Sequence, residues 1–413
     1  MFSSRPFSDR FLVRIELYLY SAITDERVHG SVSIPELSLW VSFVEKLNKM
    51  RHNQFTVNLV VPKSSVQLWW PNGYGTQRLY LLNANIQRNG SFVISWTSEF
   101  PIVMQIKDYC GDLDEIINAK PIKIGFRSIE LVQDLVDAEH PNKGRNFFFK
   151  INNVAIFLKG SNWIPVSSFP ARNHTERIDF LLKSVVEANM NTLRVWGGGR
   201  YESDQFYESA DQLADRNDEQ HSVNLIWEDM GILIWHDLMF ACALYPVDEH
   251  FRINVRKEIR TQIRRLRHHP SILLWSGNNE NELAIRDKWW IVDNYHLKDM
   301  IADYKKLYVD TIQPLVLELD SSRPFILSSP SNGVETEKEG GVAMEPNSAR
   351  YGDIHFYNEI VDLWKDHVYL IPRCASEYGV QSMPMMLVFR FDSLSDIVMH
   401  IPFFKMQSQS PSQ

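Results

Sequence analysis

The sequence predicts an α/β protein: an antiparallel β-sandwich domain followed by a (β/α)8 TIM-type barrel whose eighth strand has no clear counterpart. Three observations carry that prediction. The chain has 413 residues, room for a barrel of roughly 250 residues and one smaller module. Its first third is built of short alternating apolar runs. From about Phe147 onward, seven apolar runs alternate with helical patterns, and each run closes on polar residues.

The first fifty residues show no assignable rhythm. Then come FTVNLVV (Phe55–Val61), RLYLLNANI (Arg78–Ile86), SFVISW (Ser91–Trp96) and IKIGFRSIELV (Ile122–Val132), punctuated by Pro, Asn and Gly as in WWPNGYG (Trp69–Gly75). Period-two runs between turn residues describe a sandwich, assigned to residues 1–140. The barrel is assigned to 141–386. VAIFLKGSNWIP leads to a helix with Ile178, Leu181, Leu182, Val185 and Val186 on one face. NTLRVWGGG precedes a helix carrying Phe206, Tyr207, Ala210 and Leu213. GILIWHDLMF leads to one carrying Phe251, Val255, Ile259, Ile263 and Leu266. SILLWSGNNE, RPFILSSPSNG, GDIHFYN and YLIPRCASEYG complete the series. Strands alternating with helices imply a parallel sheet with crossover connections. The polar stretch Asp215–Asp229 interrupts the pattern. Residues 387–413 match neither strand nor helix, and their Gln/Ser-rich end is expected to be disordered.

Composition narrows the function. A 44% hydrophobic and 23% charged content is that of an ordinary soluble protein. A net charge of −8 argues against a nucleic-acid partner. No apolar run approaches the roughly 18 residues of a membrane helix, and FLVRIELYLYSAI is broken by Arg14 and Glu16, so it reads poorly as a signal peptide. Cys110, Cys242 and Cys374 are too sparse for a disulfide framework and show no metal-ligand spacing. Asn89-Gly90-Ser91 and Asn173-His174-Thr175 satisfy the N-glycosylation pattern.

The stretch LLWSGNNENELAI (Leu273–Ile285) packs amides and two carboxylates onto the end of a buried strand, where a barrel keeps its catalytic groups. Two carboxylates flanking a glycosidic bond suffice to hydrolyse it, one protonating the leaving oxygen and the other attacking or activating water. Glu280 ends the fourth candidate strand and Glu377 the seventh, a pairing across a barrel mouth with an expected separation of about 5 Å. Asn279 favours Glu280 over Glu282, because an amide there can bind the sugar hydroxyl beside the reacting carbon. Glu282 reads as a surface residue starting a helix. Asn162 and Trp163 end the first strand. Trp196 and Gly197-Gly198-Gly199 end the second, the glycines marking close backbone approach. His236 and Asp237 end the third, without a partner at metal spacing, so a metal is not expected there. His355 and Tyr357 end the sixth, and Tyr357 could hydrogen-bond a nucleophilic carboxylate. His268-His269 reads as an exposed helix terminus.

Taken together, KIGFRSIELVQD, FLKGSNWIP, ANMNTLRVWGGGRYESDQFYE, LMFACALYP, HPSILLWSGNNENE, SRPFILSSPSNG, GDIHFY and ASEYGVQSMP resemble the lysosomal-type β-mannosidases, retaining exo-glycosidases of glycoside hydrolase family 2 type. The motifs run in order from Lys123 to Pro384, and WWPNGYG with RLY extends the resemblance back to about Val66. The resemblance implies Glu280 as general acid/base, kept protonated by burial and its carboxylate neighbour. It implies Glu377 as nucleophile through a covalent mannosyl-enzyme. It further implies that Trp196 and Asp237 shape the mannose subsite, Asp237 binding sugar hydroxyls, and that Asn162, Trp163, His355 and Tyr357 join the pocket. The substrate it implies is a β-mannoside oligosaccharide and the location lysosomal. The family's leading carbohydrate-binding-like sandwich has no match here, and the likeness stops after Pro384. The expectation is therefore a chain truncated at both ends, with catalytic inactivity and weak sugar binding as the alternative. β-Galactosidases and β-glucuronidases share the two-glutamate plan and are the nearest competitors within the class.

Overall fold

A computed structural model describes residues 9–21, 26–48, 51–87, 94–96, 103–106, 116–118, 121–167, 174–212, 230–358 and 360–379. The polar interruption at 215–229 and the tail at 387–413 lie outside the described residues. The chain forms two compact units. The first comprises Met1–His355 and Leu370–Glu377; the second comprises Phe356–Tyr369 and Tyr378–Gln413. In the second, Phe356 and Tyr369 pack with ring centroids 5.6 Å apart, and Ile360 and Trp364 are exposed.

The first unit begins with strands β1 (Arg10–Ser21), β2 (Glu26–Ile34), β3 (Leu39–Leu47), β4 (Arg51–Pro62), β5 (Leu79–Gln87), β6 (Ile94–Trp96), β7 (Val103–Ile106), β8 (Ile116–Asn118) and β9 (Ile122–Gly125). They make two sheets, ordered β4-β1-β7-β6 and β3-β2-β5-β8, with β9 also on β5. Long strands thus run through the described part of the first fifty residues, where the sequence showed no rhythm. Phe11, Val13, Ile15, Leu17 and Leu19, alternate residues of β1, pack with Val28, Val32, Ile34, Leu82, Ala84 and Ile86 of the other sheet. Glu16 falls on the opposite phase and pairs with Arg267 at 2.9 Å, so one of the charges that break the apolar run belongs to a strand's outer face. The sandwich is not wholly antiparallel, since β7 pairs with β1 in parallel.

A small antiparallel meander follows: β10 (Ile129–Val132), β11 (Phe148–Ile151) and β12 (Val154–Ile156). Then β13 (Gly160–Trp163), β14 (Thr192–Val195), β15 (Leu233–Asp237), β16 (Ile272–Ser276) and β17 (Phe325–Ile326) form one parallel sheet in chain order. One face carries α1 (Thr175–Glu187), α2 (Asp204–Asp211), α3 (Glu249–Leu266), α5 (Leu297–Tyr304) and α6 (Gln313–Leu319); α4 (Asn281–Arg286) and α7 (Val334–Lys338) are short helices in the loops after β16 and β17. The expected helical faces are the buried ones, Ile178, Leu182 and Val185 in α1 and Val255, Ile259, Ile263 and Leu266 in α3; Leu213 lies outside the described residues. The other face packs Leu233, Trp235, Leu273 and Ile326 against Phe147, Phe149 and Trp69.

The last two runs are β18 (Asp353–Tyr357) and β19 (Cys374–Gly379), which pair as a separate two-stranded sheet. All seven expected strands are present, but among the described residues they do not join into a closed ring. A parallel bridge at Asn279 and Ser329 extends the β16–β17 pairing, and an antiparallel bridge at Ser331 and Asp353 leads from the segment after β17 to β18.

Candidate active site at the strand ends

Arg194 is the hub. It sits in the buried run TLRV, only 3% exposed, and lies in register with Asn162 of β13. Its guanidinium donates to Asp237 Oδ2 at 2.7 Å, Asn279 Oδ1 at 2.6 Å and Asn162 Oδ1 at 2.9 Å, and pairs with Glu377 Oε1. Five donors in a rigid fork allow one side chain to tie four acceptors. Burial opposes its charge, but Asp237 and Glu377 outweigh burial and hold the guanidinium above its usual pKa. An arginine inside an apolar parallel strand was the one sequence signal that could have identified it.

Glu280 and Glu377 meet at His355. Its Nδ1 lies 2.8 Å from Glu280 Oε1 and 3.6 Å from Glu377 Oε2. One oxygen of each carboxylate and this nitrogen all lie within 4.8 Å of one another. That spacing would let a cation sit among them, but His355 Nδ1 is committed to Glu280 and Glu377 to Arg194. Glu280 stands at the N-terminal end of α4 with φ 63°, in the left-handed region, which turns its carboxylate out of the strand direction. Its Oε2 accepts from Asn279 Nδ2 at 3.1 Å and from the Cys242 thiol, with Sγ 3.1 Å away. Burial raises its pKa, yet the bonds from His355, Cys242 and Asn279 together bring it below the ordinary value. These bonds therefore favour the carboxylate of Glu280, opposite to the expectation that burial keeps it protonated. Behind this pair, Asp353 Oδ2 accepts from Ser329 at 2.8 Å and Ser376 at 2.5 Å, and burial pushes its carboxyl up.

The remaining predicted residues divide by face. Asn162 also donates to the Ser376 carbonyl at 3.1 Å and belongs to the network. Trp163, next along the strand, points the other way. It is 6% exposed, lies tilted against Phe206 at 4.8 Å and donates to Glu202 at 3.2 Å within the helix-side core. His236 and Asp237 separate likewise: His236 lies between Tyr201 and Tyr207, where burial lowers its pKa to about 4. Asp237 is 2% exposed. Its carboxylate accepts from Arg194 and from Gly197 N–H at 3.1 Å, so the structure shows it holding an arginine where sugar hydroxyls were expected. Burial raises its pKa to about 6 against the pull of Arg194. Trp196 is half-buried, with its indole over Gly198. Gly197 is where backbones meet, since a Cβ there would stand 2.6 Å from the Phe240 carbonyl oxygen. Tyr357 belongs to the second unit and is 44% exposed.

Two expectations outside the site also change. Glu282 is fully buried, not on the surface; it accepts from Ala343 N–H at 2.7 Å and Thr336 Oγ1 at 3.4 Å, and burial raises its pKa to about 8. His269 is 2% exposed and bonds Asp211 at 2.6 Å, so it does not mark an exposed helix terminus.

No protein-family model matches the chain. It is 45% identical over 364 residues to a probable β-mannosidase of Caenorhabditis elegans, a match covering 87% of this chain and 35% of that protein. It is 40% identical over 393 residues to the β-mannosidase of Capra hircus, covering 93% of this chain and 39% of the relative. Among solved structures, the β-D-mannosidase of Dictyoglomus thermophilum superposes with a TM-score of 0.67 at 31% identity, over 95% of this chain and 41% of that one. A Bacteroides uniformis β-glucuronidase, at 17% identity and TM-score 0.55, shares the fold alone. The chain thus spans well under half the length of these relatives. Over that span its sequence and its fold agree on one assignment: it is a homologue of the β-mannosidases.

Proposed function

We propose that this chain carries the catalytic centre of a retaining exo-glycosidase that releases terminal non-reducing β-D-mannose from oligosaccharides. The observation that carries the reading is the meeting of Glu280 and Glu377 at His355, with carboxylate oxygens within 4.8 Å. Retaining glycosidases hold their two carboxyl groups about 5–5.5 Å apart, whereas inverting ones leave about 6.5–9.5 Å for a water.

In this reading Glu377, oriented by Arg194, attacks the anomeric carbon while the protonated form of Glu280 gives its proton to the leaving oxygen; the donors that lower its pKa hold that form to a minority but make its proton easier to give. Esterification then removes the charge of Glu377. With that negative neighbour gone, the bonds from His355 and Cys242 favour Glu280 as a carboxylate, the form needed to deprotonate the incoming water. Asn279 and Asn162, fixed by Arg194, and the half-buried Trp196 line the sugar subsite. The supporting layout is a sandwich over residues 1–140 and a (β/α)8-type catalytic domain over 141–386, with a divergent tail. The five parallel strands in chain order support the barrel reading. A second reading, sugar binding without turnover, draws on the described strands, which leave the parallel sheet open at β13.

The test is release of aryl alcohol from aryl β-mannoside, galactoside and glucuronide, with the first-formed anomer read by NMR. Turnover on the mannoside with retention, loss in Glu377→Ala, and azide rescue of Glu280→Ala on good leaving groups are expected. An inverted product overturns the mechanism, preference for another glycoside overturns the substrate, and sugar binding without turnover leaves the second reading.

A further inference from the structure

The loop after β15 is stitched to the segment bearing Glu280. Asn279 N–H donates to the Phe240 carbonyl at 2.8 Å, Cys242 N–H to the Asn279 carbonyl at 3.0 Å, and Ala243 N–H to Asn281 Oδ1 at 3.0 Å. Cys242 between them has φ 44°, in the left-handed region that a non-glycine residue enters at a cost. The result of that conformation is a thiol placed 3.1 Å from Glu280 Oε2, with Asn279 Nδ2 3.3 Å from the sulfur. The amide can supply the sulfur with a donor while the S–H is left to point at the carboxylate.

We propose that Cys242 is a positioning residue whose S–H donates to Glu280 Oε2, fixing the rotamer of the acid/base and biasing it toward its carboxylate form. The inference rests on the reading of Glu280 as acid/base for its functional meaning, but the hydrogen bond itself does not. The other groups facing Glu280 are His355 on Oε1, Asn279 on Oε2 and the Glu377 carboxylate, with Arg194 reaching both Asn279 and Glu377. His355 and Cys242 thus hold different oxygens, so removing one donor leaves the other in place. The thiol is suited to the task because it stays protonated: burial, and then Glu280 itself, push it up to about 12. A thiolate there would repel the carboxylate instead.

The test uses the full chain, carbon-13 labelled at glutamate carboxyls, with the Glu280 resonance assigned by its loss in Glu280→Gln. Cys242→Ala is expected to raise the pKa of Glu280 by about one unit, the scale of a hydrogen bond to a charged group, and Cys242→Ser to restore it. In the same proteins the alkaline limb of kcat/KM on an aryl β-mannoside should move with it. An unmoved Glu280 titration in Cys242→Ala, or a shift that Cys242→Ser fails to reverse, overturns the proposal. A shifted titration with hydrolysis indifferent to Glu280→Gln leaves the hydrogen bond standing and removes the acid/base reading instead.

Discussion

Replacing Arg194 with methionine keeps an unbranched apolar stem and removes the charge and donors. Asp237 and Glu377, with side chains 0% and 9% exposed, lose their cation. Taking one partner from a buried ion pair costs about 3–5 kcal/mol. The cost depends on pH, because Asp237 has a way to escape it. Its folded pKa already stands raised, at about 6, above the ordinary 3.8. Stability tied to such a group is complete below the unfolded value and is lost as pH rises toward the folded one. In the parent chain that loss stops near pH 6, where Asp237 ionises against Arg194. In the variant nothing welcomes the charge, so the loss continues upward. Between about pH 6 and about pH 7.5 the difference amounts to about 2 kcal/mol, at 1.36 kcal/mol per unit. Urea unfolding followed by tryptophan fluorescence, at about pH 5 and about pH 7.5, should give a penalty near neutrality larger than the acidic one by that amount. A penalty equal at both pH values, or below about 1 kcal/mol at the higher one, would refute the hub assignment.

Other perturbations separate buried structure from site. Glu282 has a folded pKa of about 8 against an ordinary 4.5, so its stabilisation is present below 4.5 and lost as pH rises through about 8. Glu282→Gln should flatten that part of the Tm-against-pH curve, and curves that stay parallel would show that Glu282 is not titrating there. Trp163→Ala should cost about 3–5 kcal/mol in urea unfolding, as a buried aromatic truncation does, and the half-buried Trp196→Ala clearly less; the reverse order would contradict the helix-side placement of Trp163.

The parts that could be read in advance share a reason. Strand and helix periods are local, so the run SILLWSGNNE announces a buried strand with a polar end, and the Val255, Ile259 and Ile263 spacing announces a helical face. Errors arose where local reading had to choose a face or a partner. The alternation in GSNW places Asn162 and Trp163 on opposite sides, but which side meets helices is set by the neighbouring strands. For the same reason Arg14 and Glu16 looked like interruptions until β1 had a partner sheet.

What the sequence alone determined is the order of elements, the strand ends where polar groups collect, and the two glutamates that stand there. Only the tertiary structure decided what each charge faces. Arg194 and Glu377 are 183 residues apart, on strands of different sheets, and come together only in the folded chain. Glu280 and Glu282 are two residues apart and are sent to different surroundings by one left-handed turn, Glu280 to His355 and Cys242, Glu282 into the core. Sequence distance fixes backbone period, but electrostatic environment depends on which distant segments the folded chain brings within a few ångströms, and that is the quantity that sets proton affinity.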